Sequence, residues 1–304
     1  MPSSKSVPPP TAKRYEFQAI GTHWKIDMRG TIPLLQNIEP KIMARIELFD
    51  NVYSRFRADS LVTKMSQTAG EYVLPDDAQV LLEFYYELYC VTKGGVTPLI
   101  GQALVDAGYD ADYRLTPRDI AAVPSWEEAM IYSFPRLTVA QPVLLDFGAA
   151  GKGYLVDLVA GLIQECGITD YTVNAGGDIY HYSKLAKTIR IGLEHPENAD
   201  QVIGVIELHN ESICGSAGNR RAWDKYTHHI SPFTLSSPTL VRATWVTAKS
   251  ALVADGLSTS LFFVEPEVLE SNYTFEYLMV YEDYSFKKSK NFTGDLFIAG
   301  RTPS

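Results

Sequence analysis

Residues 146–157, Asp-Phe-Gly-Ala-Ala-Gly-Lys-Gly-Tyr-Leu-Val-Asp, set a carboxylate, a glycine-rich stretch and one lysine at the end of the apolar run Val143–Leu145. Leu155, Leu158, Val159, Leu162 and Ile163 follow at helical spacing, so the segment reads strand, turn, helix. Such a turn lets backbone N–H groups and a helix N-terminus approach an anion, with Asp146 and Lys152 flanking it. The plain alternative is a glycine turn that only packs a helix onto a strand, with Asp146 as its N-cap. Two known motifs are excluded. Asp146-Phe147-Gly148 lacks the glycine-rich and His-Arg-Asp loops of a kinase, and Gly151-Lys152 lacks the leading Gly and trailing Ser/Thr of a P-loop.

A second constellation lies at Ala254-Asp255-Gly256-Leu257-Ser258-Thr259. On a helix, Asp255 and Thr259 are four apart and share a face, where a carboxylate and a hydroxyl can reach one hard cation. A carboxylate in this apolar stretch is costly to bury without a partner. The other reading makes Asp255 structural and Ser250, Ser258, Thr259 and Ser260 satisfied helix hydroxyls.

The elements that must position these groups alternate along the chain. Tyr15–Met28 is expected as a strand, Leu34–Phe56 as a helix with an internal Pro40, and Asp76–Lys93 as a helix ended by Gly94-Gly95. Residues 109–135, rich in Tyr, Pro and charge, are expected to be an irregular excursion over the site. Leu137–Asp146 then reads as strand, Gly153–Cys166 as helix, Tyr171–Asn174 as strand, and Thr188–Glu194 with Val202–Glu207 as a strand pair. Val241–Val246 reads as strand and Ala248–Phe263 as helix, and Tyr277–Tyr281 with Leu296–Ala299 is expected to close the sheet. So many strand–strand neighbours argue against a doubly wound parallel fold and for α+β layering, helices on an antiparallel sheet.

With 304 residues and 46% hydrophobic content, the chain can bury a substantial core. A net charge of −9 speaks against nucleic acid as a partner. No run of 18 apolar residues predicts a transmembrane segment. Cys90, Cys166 and Cys214 show no metal or disulfide spacing and are expected to be buried thiols. Met1–Tyr15, with Val7-Pro8-Pro9-Pro10 and no apolar leader or lipidation cysteine, predicts a flexible tail (1–14) and a cytoplasmic protein.

Three further stretches complete a pattern: Asn174-Ala175-Gly176-Gly177-Asp178 after Tyr171-Thr172-Val173, Ser216-Ala217-Gly218-Asn219 before His228-His229, and the Asp255–Thr259 helix. In this order and spacing the chain resembles the ApbE family, the FAD:protein FMN transferases, from Ile20-Gly21-Thr22 to about Phe263. The resemblance implies an α+β, T-fold-like duplicated antiparallel sheet with packed helices, residues 15–304 forming one domain of two interleaved subdomains. It implies Mg²⁺ on Asp255, Thr259 and the Ala149 carbonyl, and FAD contacts at Ile20, Phe56, Gly95, Val96, Thr97, Asp146, Lys152 and Ile230. The implied reaction transfers FMN from FAD to a threonine or serine hydroxyl of an acceptor protein, releasing AMP, with Asp255 catalytic and His228 the candidate base. For His228, a plain loop histidine is the competing reading.

Several positions depart from the family pattern. Phe56 stands for a tyrosine, Gly94-Gly95-Val96-Thr97-Pro98 for Gly-Ala-Phe-Asp-Pro, Ser231-Pro232-Phe233-Thr234-Leu235 for Asp-Pro-Arg-Thr-Gly, and Asn219-Arg220 for Asp-Tyr. The metal and phosphate groups are kept while the adenine and acceptor side is altered. The chain therefore reads as a transferase with an unusual acceptor, an FAD pyrophosphatase yielding FMN and AMP, or a non-enzymatic flavin carrier.

Overall fold

The computed structural model describes residues 11–297. Its frame is an eight-stranded sheet of β1 (Thr11–Ala19), β2 (Thr22–Gly30), β3 (Asp170–Ala175), β4 (Asp178–Ser183), β5 (Glu211–Ala217), β6 (Val241–Ala248), β7 (Glu276–Tyr281) and β8 (Phe286–Lys288). Each strand pairs antiparallel with its neighbours in this order. Alternation along the strands divides the side chains between two faces. Cys214, Val246, Tyr277 and Met279 join the core under the helices, whereas Ile213, Trp245, Leu278 and Val280 join a smaller core on the opposite face.

Four helices carry most of the first layer: α1 (Glu39–Tyr53), α2 (Ala78–Val91), α3 (Gly151–Glu165) and α4 (Ala251–Ser260). The opposite face is covered by a hairpin of Ile189–His195 and Asn198–Leu208, which Asp295–Leu296 extends by one short strand. This is the antiparallel α+β arrangement expected from the strand pattern.

Several boundaries move. The first strand is a hairpin, turned at Ile20-Gly21, where both residues have positive φ. It begins at Thr11, so residues 11–14 are not tail but pair with 27–30, and residues 1–10 lie outside the described residues. Pro40 does not sit inside one long helix. A short helix ends at Gln36, and Pro40 occupies the first turn of α1, where its missing N–H is harmless. The strand expected over Leu137–Asp146 stops at Val139, because Pro142 has no N–H to give a ladder; Arg136–Val139 pairs instead with Gly70–Val73 and Met130–Ser133. That last strand and the helix Trp126–Ala129, held by a Ser125/Glu128 capping box, regularise part of the 109–135 excursion.

β6 runs on to Ala248, and α4 starts only at Ala251, N-capped by the Ser250 hydroxyl on Val253 N–H. Leu296 pairs with Gly204 of the outer hairpin rather than closing the main sheet, and Ile298-Ala299 lie outside the described residues. Of the cysteines only Cys214 is buried; Cys90 is exposed on the outer side of α2 and Cys166 is half-buried at the end of α3.

Candidate active site

α3 and α4 cross at a seam that builds the site. Gly153 makes the crossing possible: a Cβ there would run into the Ala251 carbonyl and lie 2.6 Å from the Asp255 Cβ. Its N–H donates to Asp255 Oδ2 at 2.8 Å. One turn further on, the Asp157 carboxylate of α3 accepts the N–H groups of Ala251 and Leu252, both at 2.8 Å, which satisfies the first turn of α4. Burial pushes Asp157 up to about 6 against the pull of those two donors. The glycines of the 146–157 motif thus serve helix packing as well as the turn.

Asp255 is 3% exposed, and burial raises its pKa while the Lys152 ammonium and the Gly153 N–H pull it down. The Lys152 ammonium forms an ion pair with Asp178 at the start of β4 and stands 3.9 Å from Asp255 Oδ1. Neither Asp178 oxygen has a hydrogen-bond partner among the described residues. Two buried carboxylates therefore share one ammonium in a low-dielectric setting. Thr259 Oγ1 lies 3.4 Å from Ser216 Oγ, which in turn is 2.8 Å from Ser258 Oγ. The donors on offer to a hard cation here are one carboxylate, one hydroxyl and backbone carbonyls, since no group of three or more His, Cys, Asp or Glu side chains gathers as a metal cluster among the described residues.

Lys152, Asp255, Thr259, Ser216 and Ala149 border one cavity of about 200 Å³. Of the sequence-expected positions, Phe56, Gly95, Val96, Thr97, Asp146, Ala149, Lys152, His228, Ile230, Asp255 and Thr259 line it. Ile20 does not; it sits in the β1–β2 turn against the main core, and Thr22 lines the cavity from that hairpin. Asp146 is not the N-cap of α3, a place taken by Ala150. Its Oδ1 instead accepts Gly148 N–H at 2.7 Å, and its Oδ2 pairs with the Arg55 guanidinium.

Arg55, which sequence reasoning passed over, is buried. It donates to the Tyr109 carbonyl at 2.8 Å, lies 4.2 Å over the Phe56 ring, and keeps Nη2 buried without an acceptor. Phe56 stacks on Tyr113 at 5.8 Å and 15°, so the irregular excursion does reach the cavity rim. Tyr109, Ser216, Arg221 and Asp178 are the other groups the sequence left without a role, although Ser216 and Asp178 lie inside the quoted motifs.

His228 and His229 stack at 4.0 Å, and each has a buried Nδ1 without a partner. Burial, with help from Arg221, pushes His228 down to about 4, so its ring is neutral and proton-accepting at pH 7. His229 is likewise held well below the usual imidazole range by burial, His228 and Arg221. Two of the departures are filled by hydroxyls. Thr97 Oγ1 accepts Leu99 N–H, and Ser231 Oγ accepts from Phe233 and Thr234, so both turns keep the acceptor an aspartate would supply.

Comparison with known proteins returns one family. The ApbE family model matches residues 20–277. The FAD:protein FMN transferase of Klebsiella pneumoniae (strain 342) is 26% identical over 312 residues, covering 94% of this chain and 89% of its own length. That of Vibrio cholerae (strain O395) is 27% identical, covering 83% and 82%. Among solved structures, the ApbE protein from Thermotoga maritima superposes with a TM-score of 0.81 at 22% identity, over 93% of this chain and 98% of that one. The apo form of Pseudomonas stutzeri flavinyl transferase ApbE gives 0.79 at 20% identity, over 94% and 97%. At these identities the two structures speak for the fold.

Proposed function

Because this chain belongs to the ApbE family, we propose that it is an FAD:protein FMN transferase that places FMN on a threonine or serine hydroxyl of an acceptor protein and releases AMP. The observation that carries this reading is the gathering of Asp146, Lys152, Asp255, Thr259 and a neutral His228 around one cavity.

Within that cavity, the acceptor oxygen attacks the phosphorus on the FMN side of FAD. A new P–O bond forms, the bond from that phosphorus to the bridging oxygen breaks, and AMP leaves with the bridging oxygen. His228, neutral at pH 7, accepts the hydroxyl proton at a ring nitrogen. The Lys152 ammonium, held in place by Asp178, faces the phosphates and offsets the charge that gathers on the leaving group. Asp255, Thr259 and the Ala149 carbonyl would hold Mg²⁺, which when bound neutralises pyrophosphate charge and lowers its repulsion of an oxygen nucleophile. Asp146 fixes the turn at Gly148 and holds Arg55 over the Phe56 ring at the cavity wall.

Incubation with FAD, Mg²⁺ and candidate acceptor proteins tests the reading. Flavin fluorescence on the acceptor band of a denaturing gel, with one AMP released per flavin, is the expected result. AMP without labelled protein would make the chain a pyrophosphatase, and FAD bound but unchanged would make it a carrier.

A further inference from the structure

Under the helix that carries Asp255 and Thr259, the sheet supplies hydroxyls whose protons can be counted. Alternation along β5 turns Cys214 and Ser216 to the same side. The Cys214 thiol meets the Ala251 carbonyl at 3.6 Å, at the start of α4, and the Ser216 hydroxyl lies 2.8 Å from Ser258 Oγ and 3.4 Å from Thr259 Oγ1 in its last turn. Thr244, which pairs with Ser216 across β5 and β6, donates to the Ser258 carbonyl at 2.7 Å and ties that turn to the sheet. Ser216 and Thr259 line the cavity, whereas Ser258 is fully buried behind them.

The end of this chain of hydroxyls fixes its direction. Ser258 Oγ is 2.9 Å from the Asp255 main-chain carbonyl, which can only accept. With the Ser258 proton on that carbonyl, the Ser258 oxygen accepts from Ser216 and the Ser216 oxygen accepts from Thr259, so every hydroxyl proton has an acceptor. In the reverse order Ser258 donates to Ser216 and Ser216 to Thr259, the carbonyl loses its hydroxyl, and the Thr259 proton has no acceptor among the described residues. The first order makes one hydrogen bond more, and at a buried site a missing bond costs more than a made one returns. The Thr259 proton is thus drawn onto Ser216, and the lone pairs of its oxygen are left for the cavity.

We propose that Ser216 and Ser258 are positioning residues, which turn the lone pairs of Thr259 rather than its proton toward the cation that Asp255 and Thr259 would hold. The proposal rests on the cation site of the reading above. A cation on the Thr259 oxygen makes its O–H a stronger donor, so the 3.4 Å contact to Ser216 and the cation reinforce each other.

The test titrates the intact chain with Mn²⁺ alone, a cation that takes the same oxygen donors as Mg²⁺ and whose free fraction is read by electron paramagnetic resonance. The site counted is the one that Asp255→Asn removes. Ser216→Ala and Ser258→Ala are each expected to weaken it about tenfold, and Ser216→Thr, which restores a hydroxyl, to stay within about twofold of the parent. In a Thr259→Val background Ser216→Ala should have no further effect, because its partner is gone; if Thr259→Val binds no Mn²⁺, Ser258→Ala decides, since that hydroxyl is walled off from the cavity. Cation-free thermal melts should fall by no more than about 4 °C, the cost of one hydrogen bond; if Ser258→Ala melts far lower, Ser216→Ala against Ser216→Thr decides. No Mn²⁺ site that depends on Asp255, parental affinity in both alanine variants, failure of Ser216→Thr to restore binding, or an equal loss from Ser216→Ala with and without Thr259 overturns the proposal. The expected pattern of Mn²⁺ affinities with no flavin transferred to any protein leaves the two serines in this role and sinks the transferase reading instead.

Discussion

Lys152 is expected to hold the fold together as well as contact substrate, and Lys152→Met separates the two roles. Asp178 is about 1% exposed in its side chain, and the Lys152 ammonium is its only polar partner among the described residues. Removing one partner of a buried ion pair leaves the other charge uncompensated, which costs about 3–5 kcal/mol. Asp255 Oδ1, 3.9 Å from the same ammonium, loses a counter-charge too. For a chain of this size roughly 2 °C of Tm accompanies each kcal/mol, so Lys152→Met should melt roughly 6–10 °C below the parent. Asp178→Asn in the Lys152→Met background removes the stranded charge and should restore most of that loss, whereas FAD affinity should stay low in both. Thermal melts followed by circular dichroism, with FAD titrations on the same samples, measure the two effects. A single variant melting within about 1 °C of the parent, or a double variant no more stable than the single, would refute the electrostatic reasoning.

Asp255→Asn keeps the shape and one acceptor for Gly153 N–H but loses the charge, so Mg²⁺-dependent AMP release should fall at least about a hundredfold with little change in Tm; parental turnover would remove Asp255 from the metal site. His228→Asn should slow transfer to protein by about 10²–10⁴ while FAD binding persists, measured by single-turnover flavin labelling. His228 releases its proton more readily folded, near 4, than unfolded, near 6.5, so the unfolded chain takes up more protons between those values. The contribution is fully present above about pH 6.5, and stability should decline by up to about 3 kcal/mol as pH falls to 4; in urea titrations, His228→Asn should flatten that slope. Asp157→Ala strands two N–H groups of α4 and should cost about 2–4 kcal/mol by urea unfolding.

What could be read from sequence was whatever had a local period or a short spacing. Asp255 and Thr259 declared a shared face because a helix repeats every 3.6 residues, and the strand pair near 190–207 declared itself by alternation. The Asp146 pairing with Arg55 spans 91 residues and that of Lys152 with Asp178 crosses from a helix to a strand, so no spacing rule points to either. Gly153 was legible as a special position but not for its reason, since the neighbour that forbids a Cβ is a carbonyl on another helix. Thr97 and Ser231 look like losses when compared letter by letter. In three dimensions their hydroxyls accept the N–H bonds that hold each turn.

The order of the eight strands has a consequence for how the chain reaches this state. Seven of the sheet's pairings join strands consecutive in the frame, but their connections differ greatly in length. β1 and β2 are joined by a two-residue turn, whereas β2 and β3 are separated by about 140 residues that include α1, α2 and α3. Closing a long loop costs more entropy than closing a short one, and the contacts that reward it come late. The strands from β3 to β8 can therefore assemble with the outer hairpin and α4 before the first hairpin docks. Thr22 and the Gly176 turn meet at that β2–β3 junction, and Lys25 pairs with Asn174 there. The cavity that Thr22 and Gly176 border is thus finished only where strands distant in sequence meet, the kind of contact that loop closure makes costly.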